Sequence, residues 1–233
     1  MRAVITGASK GIGAAIAEKL ASEGCDVFLI ARSEDHLKRT CSSILSAGNT
    51  VSCSYHTADL SDISQAQASG KIVLETFGVP DILINNAGQF IPGSLYNEPP
   101  GTMETMMNTN FYSAYHLTRE LIPGMMSGKS GHIINICSIA SIQAYPDGGA
   151  YSVSKFALLG FSKNLREELK PHGIKVTSVL PGATYTDSWA SSGLPAARFM
   201  QPEDIANVVW QCIALSETAT VEEIILRPQL GDI

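Results

Sequence analysis

Tyr151 and Lys155 lie four residues apart in a stretch, Ala150–Lys170, whose pattern predicts a helix. Residues at that separation share a helix face, so the phenol and the ammonium are neighbours. A phenol with an ordinary pKa of about 10 is a poor acid–base catalyst at neutral pH. A nearby ammonium favours the phenolate and lowers that value. Ser138 ends a predicted strand upstream, and its hydroxyl can donate to an oxygen on which charge develops. A second group is Thr6-Gly7-Ala8-Ser9-Lys10-Gly11-Ile12-Gly13, with glycines at i, i+4 and i+6 between a short apolar strand and an amphipathic helix. Such glycines permit a sharp turn, close approach of a pyrophosphate to the backbone, and tight helix–strand contact. The helix N-terminus then presents free N–H groups to phosphates. In that context the glycine spacing points to a dinucleotide.

The end of the second strand decides which dinucleotide. An acidic residue there accepts hydrogen bonds from a ribose 2′-hydroxyl and repels a 2′-phosphate. Here the strand ends Ile30-Ala31-Arg32-Ser33, so Ala31 stands where the carboxylate would be. Arg32 follows it and Lys10 lies inside the glycine loop. Both can meet a phosphate, arginine through two hydrogen bonds at once. The expected cofactor is therefore NADP(H) rather than NAD(H).

Strand-like and helix-like segments alternate along the whole chain and position these groups. The strands expected are Ala3–Thr6, Val27–Ala31, Val51–Tyr55, Ile82–Asn85, His132–Cys137, Ile174–Leu180 and Val221–Leu226. The helices are Gly13–Glu23, one capped by Ser33 and running to about Ser46, Ser61–Phe77, Gly101–Met126, Ala150–Lys170 and Glu203–Leu215. Pro123 should bend or shorten the end of the fourth. Residues 183–201 read as a loop. Strands separated by helices, several of them continuous apolar runs, call for a Rossmann-type doubly wound parallel sheet of about seven strands with helices on both faces. No linker or shift in composition divides the 233 residues, so one domain over residues 1–233 is expected.

Composition excludes several classes. The chain is 45 % apolar and 16 % charged, which is incompatible with disorder. A net charge of −6 and a pI near 5.3 argue against binding to nucleic acid or to an anionic membrane. No apolar run is long enough for a transmembrane helix, and the strand beginning at Ala3 leaves no room for a signal peptide. The five cysteines (Cys25, Cys41, Cys53, Cys137, Cys212) are scattered and form no Cys-x-x-Cys pair. They suggest neither a metal site nor a disulfide framework, but free buried thiols in a reducing cytoplasm. Cys137 should point away from Ser138 and pack.

The glycine loop, Asn85-Asn86-Ala87-Gly88, Asn110, Ser138, Tyr151-x-x-x-Lys155 and Pro181-Gly182 together resemble the short-chain dehydrogenase/reductase family over nearly the whole chain. The resemblance implies reduction of a carbonyl by hydride transfer. Tyr151 would give a proton to the carbonyl oxygen and Ser138 would hydrogen-bond the same oxygen. It also implies that Lys155 binds the nicotinamide ribose and that Asn110 holds a water linking the lysine to solvent. Asp59 and Leu60 would meet the adenine, Asn86, Ala87 and Gly88 would pass close to the cofactor, and Pro181, Gly182, Thr184 and Thr186 would receive the carboxamide. Retention of Asn110, Ser138, Tyr151 and Lys155 favours an enzyme over a catalytically silent NADP sensor.

The substrate should be a small-molecule carbonyl compound lying over the nicotinamide. Segments 89–96, 139–149 and 183–200 can reach it, offering Phe90, Ile91, Ile142, Tyr145, Trp189, Leu194, Phe199 and Met200, with Gln89 and Gln143 as polar handles. Two substrate classes stay open. The overall pattern is similar to 3-oxoacyl-carrier-protein reductases, whose acidic carrier would need the thin basic supply of Lys129, His132, Lys170 and His172. The 181–189 segment and the tail 221–233 resemble bacterial sepiapterin-reductase-type members, which implies a pteridine or a small diketone; Trp189 could stack a pteridine and Asp232 could accept its amino hydrogens, if Asp232 is not simply solvated tail. The family also implies a homodimer or homotetramer through the helices carrying Asn110 and Tyr151. Phe111, Leu117, Leu158 and Phe161 would supply that contact or pack on the sheet.

Overall fold

The computed structural model describes residues 1–48, 50–187 and 193–232. Seven parallel strands form one sheet: β1 (Arg2–Thr6), β2 (Asp26–Ala31), β3 (Cys53–Thr57), β4 (Ile82–Asn85), β5 (Gly131–Ile136), β6 (Ile174–Pro181) and β7 (Glu223–Leu226). Their order is β3-β2-β1-β4-β5-β6-β7. The register pairs Val4 with Phe28 on one side of β1 and with Leu83 on the other. Helices fill the crossovers: α1 (Gly11–Ser22), α2 (Glu34–Ser46), α3 (Ile63–Thr76), α4 (Thr102–Met107), α5 (Ser113–Gly128), α6 (Gly149–Leu169) and α7 (Pro202–Ile213). This is the expected Rossmann-type arrangement. The order reverses between β1 and β4, and in such sheets a ligand crevice opens at that point beyond the strands' C-terminal ends.

Side-chain alternation explains the two layers. Ala3 and Ile5 of β1 join α1, α2 and α7 in one buried cluster, with Ile16, Leu20, Leu37, Ile44, Ile205 and Val209. Val4, one residue out of phase, joins Phe28, Leu83 and Ile133 against α3, α5 and α6, with Val73, Leu117, Leu121 and Leu165. Both faces being covered, the central strands β1, β2 and β4 are largely apolar and buried.

The structure departs from the sequence reading in a few places. The helix expected over Gly101–Met126 is three pieces, with a π-helical turn at Asn108–Tyr112 between α4 and α5. Pro123 does not end α5, which continues to Gly128. The β3 strand sits two residues later than expected, and Asp62 caps α3 by accepting from the Gln65 amide. Cys41 on α2 and Cys53 on β3 form a disulfide, their Cα atoms 5.6 Å apart, contrary to the expectation of free thiols. Sequence spacing alone could not reveal it, because the fold brings the two together through the α2–β3 turn. Cys25, Cys137 and Cys212 are free and buried. Among the described residues no helix is long and apolar enough to cross a membrane, and no cluster of His, Cys, Asp or Glu could hold a metal ion.

Candidate active site

A cleft of about 770 Å³ runs along the C-terminal ends of the strands. The glycine loop forms one wall. Gly7 (φ 65°) and Gly11 (φ 57°) occupy the left-handed region that disfavours side chains. Gly13 is required by space: a Cβ there would lie 2.4 Å from the Gly7 carbonyl oxygen and 2.5 Å from Asn86 Nδ2. Asn86 staples the end of β4 to this loop, donating from Nδ2 to the Thr6 and Gly7 carbonyls at 2.9 and 3.3 Å. Thr6 Oγ1 accepts from the Asn86 and Ala87 amides, both at 2.9 Å. Asn85 does not face the cleft. It donates to Thr118 and Asn135 in a buried polar row that continues to Ser162.

Every residue expected to meet the cofactor lines this cleft: Gly7, Ser9, Lys10, Gly11, Ile12, Gly13, Arg32, Asp59, Leu60, Asn86, Ala87, Gly88, Tyr151, Lys155, Pro181, Gly182, Thr184 and Thr186. Asp59 is fixed by its own turn, Oδ1 accepting from the Ser61 amide and hydroxyl. At the end beyond β2, Arg32 is exposed and has no ion-pair partner among the described residues. His36, in the first turn of α2, lines the same end. The sequence reading passed over it, although its spacing of four from Arg32 at a helix start was the available signal. Lys10 is not free: its Nζ lies 2.5 Å from Asp187 Oδ2.

At the other end stand Ser138, Tyr151 and Lys155. Ser138 caps the turn Ile139–Ser141, Oγ accepting from the Ala140 amide at 3.1 Å, and its hydroxyl pulls the Tyr151 phenol pKa down. Phe90 meets the Tyr151 ring edge-on, centroids 5.0 Å apart. Lys155 is buried, donates to the Ile136 carbonyl at 2.9 Å, and holds its Nζ 5.9 Å from the Tyr151 ring centroid. Burial pushes the Tyr151 phenol up to about 12, against the pull of Ser138. Burial pushes the Lys155 ammonium down to about 8. The expected lowering of the phenol by the lysine is thus corrected: desolvation raises the phenol, and the pull that opposes it comes from Ser138. A phenol so raised is fully protonated at neutral pH.

Asn110 is buried in the π-helical turn and is not among the residues lining the cleft. Its Oδ1 accepts from the Gln89 amide at 2.8 Å, and its Nδ2 donates to the Gln89 carbonyl at 3.0 Å and to Ser154 Oγ at 2.9 Å. The side chain therefore braces the segment after β4 against α6. A Cβ on Gly88 would meet Asn110 Oδ1 at 3.1 Å and Lys155 Nζ at 3.7 Å, so the brace and the lysine close around a position without a side chain.

Of the substrate residues, Gln89, Gln143, Tyr145 and Phe90 line the cleft, and Trp189 lies outside the described residues. Phe199 and Met200 are core residues, and Ile142 and Leu194 are exposed. Asp232 is exposed, but it is held rather than loose. It lines the cleft beside Gly182 and pairs with Arg227, whose other nitrogen reaches Gln143 Oε1 at 3.4 Å. Arg198 donates to the Gly231 and Asp232 carbonyls and so holds the tail in place. The cations considered for an acidic carrier sit elsewhere. Lys129, Lys170 and His172 precede β5 and β6, at the edge opposite the cleft, and His132 is buried. Cys137 packs with Leu158, Leu159 and Leu180, its thiol pushed up to about 11 by burial, as a packing residue should be. Leu117 and Leu158 are buried within the subunit, whereas Phe111 of the π-helical turn, Tyr115 of α5 and Phe161 of α6 form an aromatic cluster.

A doubly wound sheet with a glycine-lined cleft and a Ser–Tyr–Lys group at its switch point defines a class, that of dinucleotide-dependent enzymes. The profile of the short chain dehydrogenase family matches residues 1–195, and the chain belongs to that family. An uncharacterised oxidoreductase of Staphylococcus epidermidis is 30 % identical over 226 residues, 97 % of this chain and 96 % of the relative. An alcohol dehydrogenase from the archaeon Thermococcus sibiricus, complexed with 5-hydroxy-NADP, superposes with a TM-score of 0.92 at 29 % identity, covering 100 % of this chain and 98 % of that one. L-sorbose reductase from Gluconobacter frateurii, complexed with NADPH and L-sorbose, gives 0.88 at 30 % identity, covering 97 % and 94 %.

Proposed function

We propose that the protein is an NADP(H)-dependent reductase of a small carbonyl compound, with Tyr151 as the proton donor. The observation that carries this reading is that Ser138, Tyr151 and buried Lys155 line the same cleft as Arg32 and His36. The residues present fit the cofactor. Gly7, Gly11 and Gly13 leave backbone bare for a pyrophosphate, the α1 N-terminus faces it, and unpaired Arg32 suits a 2′-phosphate. Structural relatives crystallised with NADP or NADPH support the same assignment.

When bound, NADPH supplies the hydride. The chain's residues handle the oxygen and its proton. Ser138 donates a hydrogen bond to the carbonyl oxygen and orients it. Tyr151, protonated because burial disfavours its phenolate, gives its proton to that oxygen as charge develops there. Lys155, close to the ring and charged below about pH 8, stabilises the phenolate left behind. Asn110 positions Gln89 and α6, and so the cleft wall on which these groups stand.

The placement of Lys129, Lys170 and His172 away from the cleft supports a free small molecule over a carrier-bound thioester. Gln89, Gln143 and Asp232 suit a substrate with polar groups beyond its carbonyl. We further propose a homo-oligomer through the aromatic face of α5 and α6, tested by light scattering at micromolar concentration. The enzymatic reading is tested by following NADPH oxidation with hydroxyketones, diketones, sepiapterin and acetoacetyl thioesters. Turnover on a polar small carbonyl is expected. Turnover confined to the thioester would overturn the substrate class, and tight NADPH binding with no turnover on any of them would favour a sensor.

A further inference from the structure

One of the two cations expected to meet the cofactor's 2′-phosphate, Lys10, already has a partner. Lys10 Nζ and Asp187 Oδ2 are 2.5 Å apart, joining the glycine loop to the segment after β6 across the cleft. The contact is seated by packing next to it, since a Cβ on Gly11 would come within 3.2 Å of Thr186 Cγ2. Both side chains are well exposed, 60 % and 74 %, so the pair is weak and yields to a better partner. Lys10 holds the Asp187 carboxyl below the ordinary carboxylate range, and His36 adds to that pull. Asp187 therefore sits near both Lys10 and His36, in the cleft that Arg32 also lines.

We propose that Asp187 sets the strength of the preference for a 2′-phosphorylated cofactor by occupying Lys10, which the phosphate must take from it. The proposal rests on the NADP(H) reading above. A phosphate carries more charge and more acceptor oxygens than a carboxylate, and so competes successfully for the ammonium. The Asp187 carboxylate then faces the phosphate unpaired and repels it. A cofactor with a free 2′-hydroxyl asks nothing of Lys10 and leaves the pair closed. Asp187 thus weakens NADPH binding selectively, and the full affinity of the site is held in check by one exposed residue.

The test is calorimetric titration of NADPH and NADH into the wild type, Asp187→Asn, Lys10→Gln and the double variant at low ionic strength. Asp187→Asn should tighten NADPH about two- to five-fold, the range an exposed ion pair allows, and leave NADH where it was. In the Lys10→Gln background the same substitution should gain less. An NADPH-to-NADH ratio that stays level or falls in Asp187→Asn overturns the proposal, and an equal gain without Lys10 overturns the route through it. A wild type that binds NADH as tightly as NADPH would instead remove the cofactor reading underneath.

Discussion

Replacing His132 by glutamine should change how stability depends on pH, by an amount the structure sets. His132 is buried on β5, with Nε2 2.7 Å from Thr177 Oγ1 on β6. The Thr177 hydroxyl donates to the Val221 carbonyl at 2.6 Å, so it accepts from an imidazole that carries its hydrogen on Nε2. Burial, with Lys175 adding to it, holds the folded-state pKa down to about 4 against 6.5 in the unfolded chain. Between those values the unfolded chain is protonated at this position and the folded one is not. Stability from the neutral imidazole is therefore fully present above pH 6.5 and is lost as pH falls toward 4. At about 1.4 kcal/mol per unit the loss amounts to about 3 kcal/mol. Urea unfolding of wild type and His132→Gln from pH 7.5 to 4 reads it directly, because every other group titrates in both. The wild type should lead at neutral pH, and the gap should shift toward the variant by about 3 kcal/mol on acidification. A gap independent of pH would refute the reasoning.

Arg32→Ala should weaken NADPH about tenfold or more and move NADH less than twofold, since a charge-assisted hydrogen bond contributes roughly 1.5–3 kcal/mol; equal losses for both would place the guanidinium elsewhere. Alkylation of the unfolded, unreduced protein should find three thiols, Cys25, Cys137 and Cys212, and reduction should release two more. Breaking the Cys41–Cys53 link should cost about 3 kcal/mol by loop-closure entropy, and equal melting temperatures with and without reductant would contradict it. Asn110→Ala removes both bonds to Gln89 and leaves Ser154 without that partner, so it should lower stability by about 1–3 kcal/mol and raise KM, read by melting and steady-state kinetics.

The strand–helix alternation was legible because hydrophobic periodicity is local, and the glycine loop because its spacing encodes a turn and a close approach. Most of the residues that line the cleft follow a strand at the edge where it opens, which the strand pattern and the glycine spacing located in the chain. What sequence could not supply were distances between segments far apart in the chain. Lys10 reads as a free cation until the fold sets Asp187 177 residues later against it. Asp232 reads as a loose tail until Arg198 and Arg227 hold it to the cleft. Tyr151 and Lys155 share a helix face as their spacing demands, yet their burial, which decides both pKa values, comes from strands and loops packed around them. Asn110 reads as a site residue, but its brace to Gln89 and Ser154 comes from a π-helical turn that has no sequence signature.

Tyr151→Phe tests the central claim most directly. The substitution removes one hydroxyl from the cleft and keeps the ring that Phe90 packs against. Carbonyl-dependent NADPH oxidation should fall at least a hundredfold, in keeping with the loss of a general acid, while the NADPH dissociation constant stays within about threefold. Turnover close to wild type in that variant, with NADPH still bound, would contradict the account.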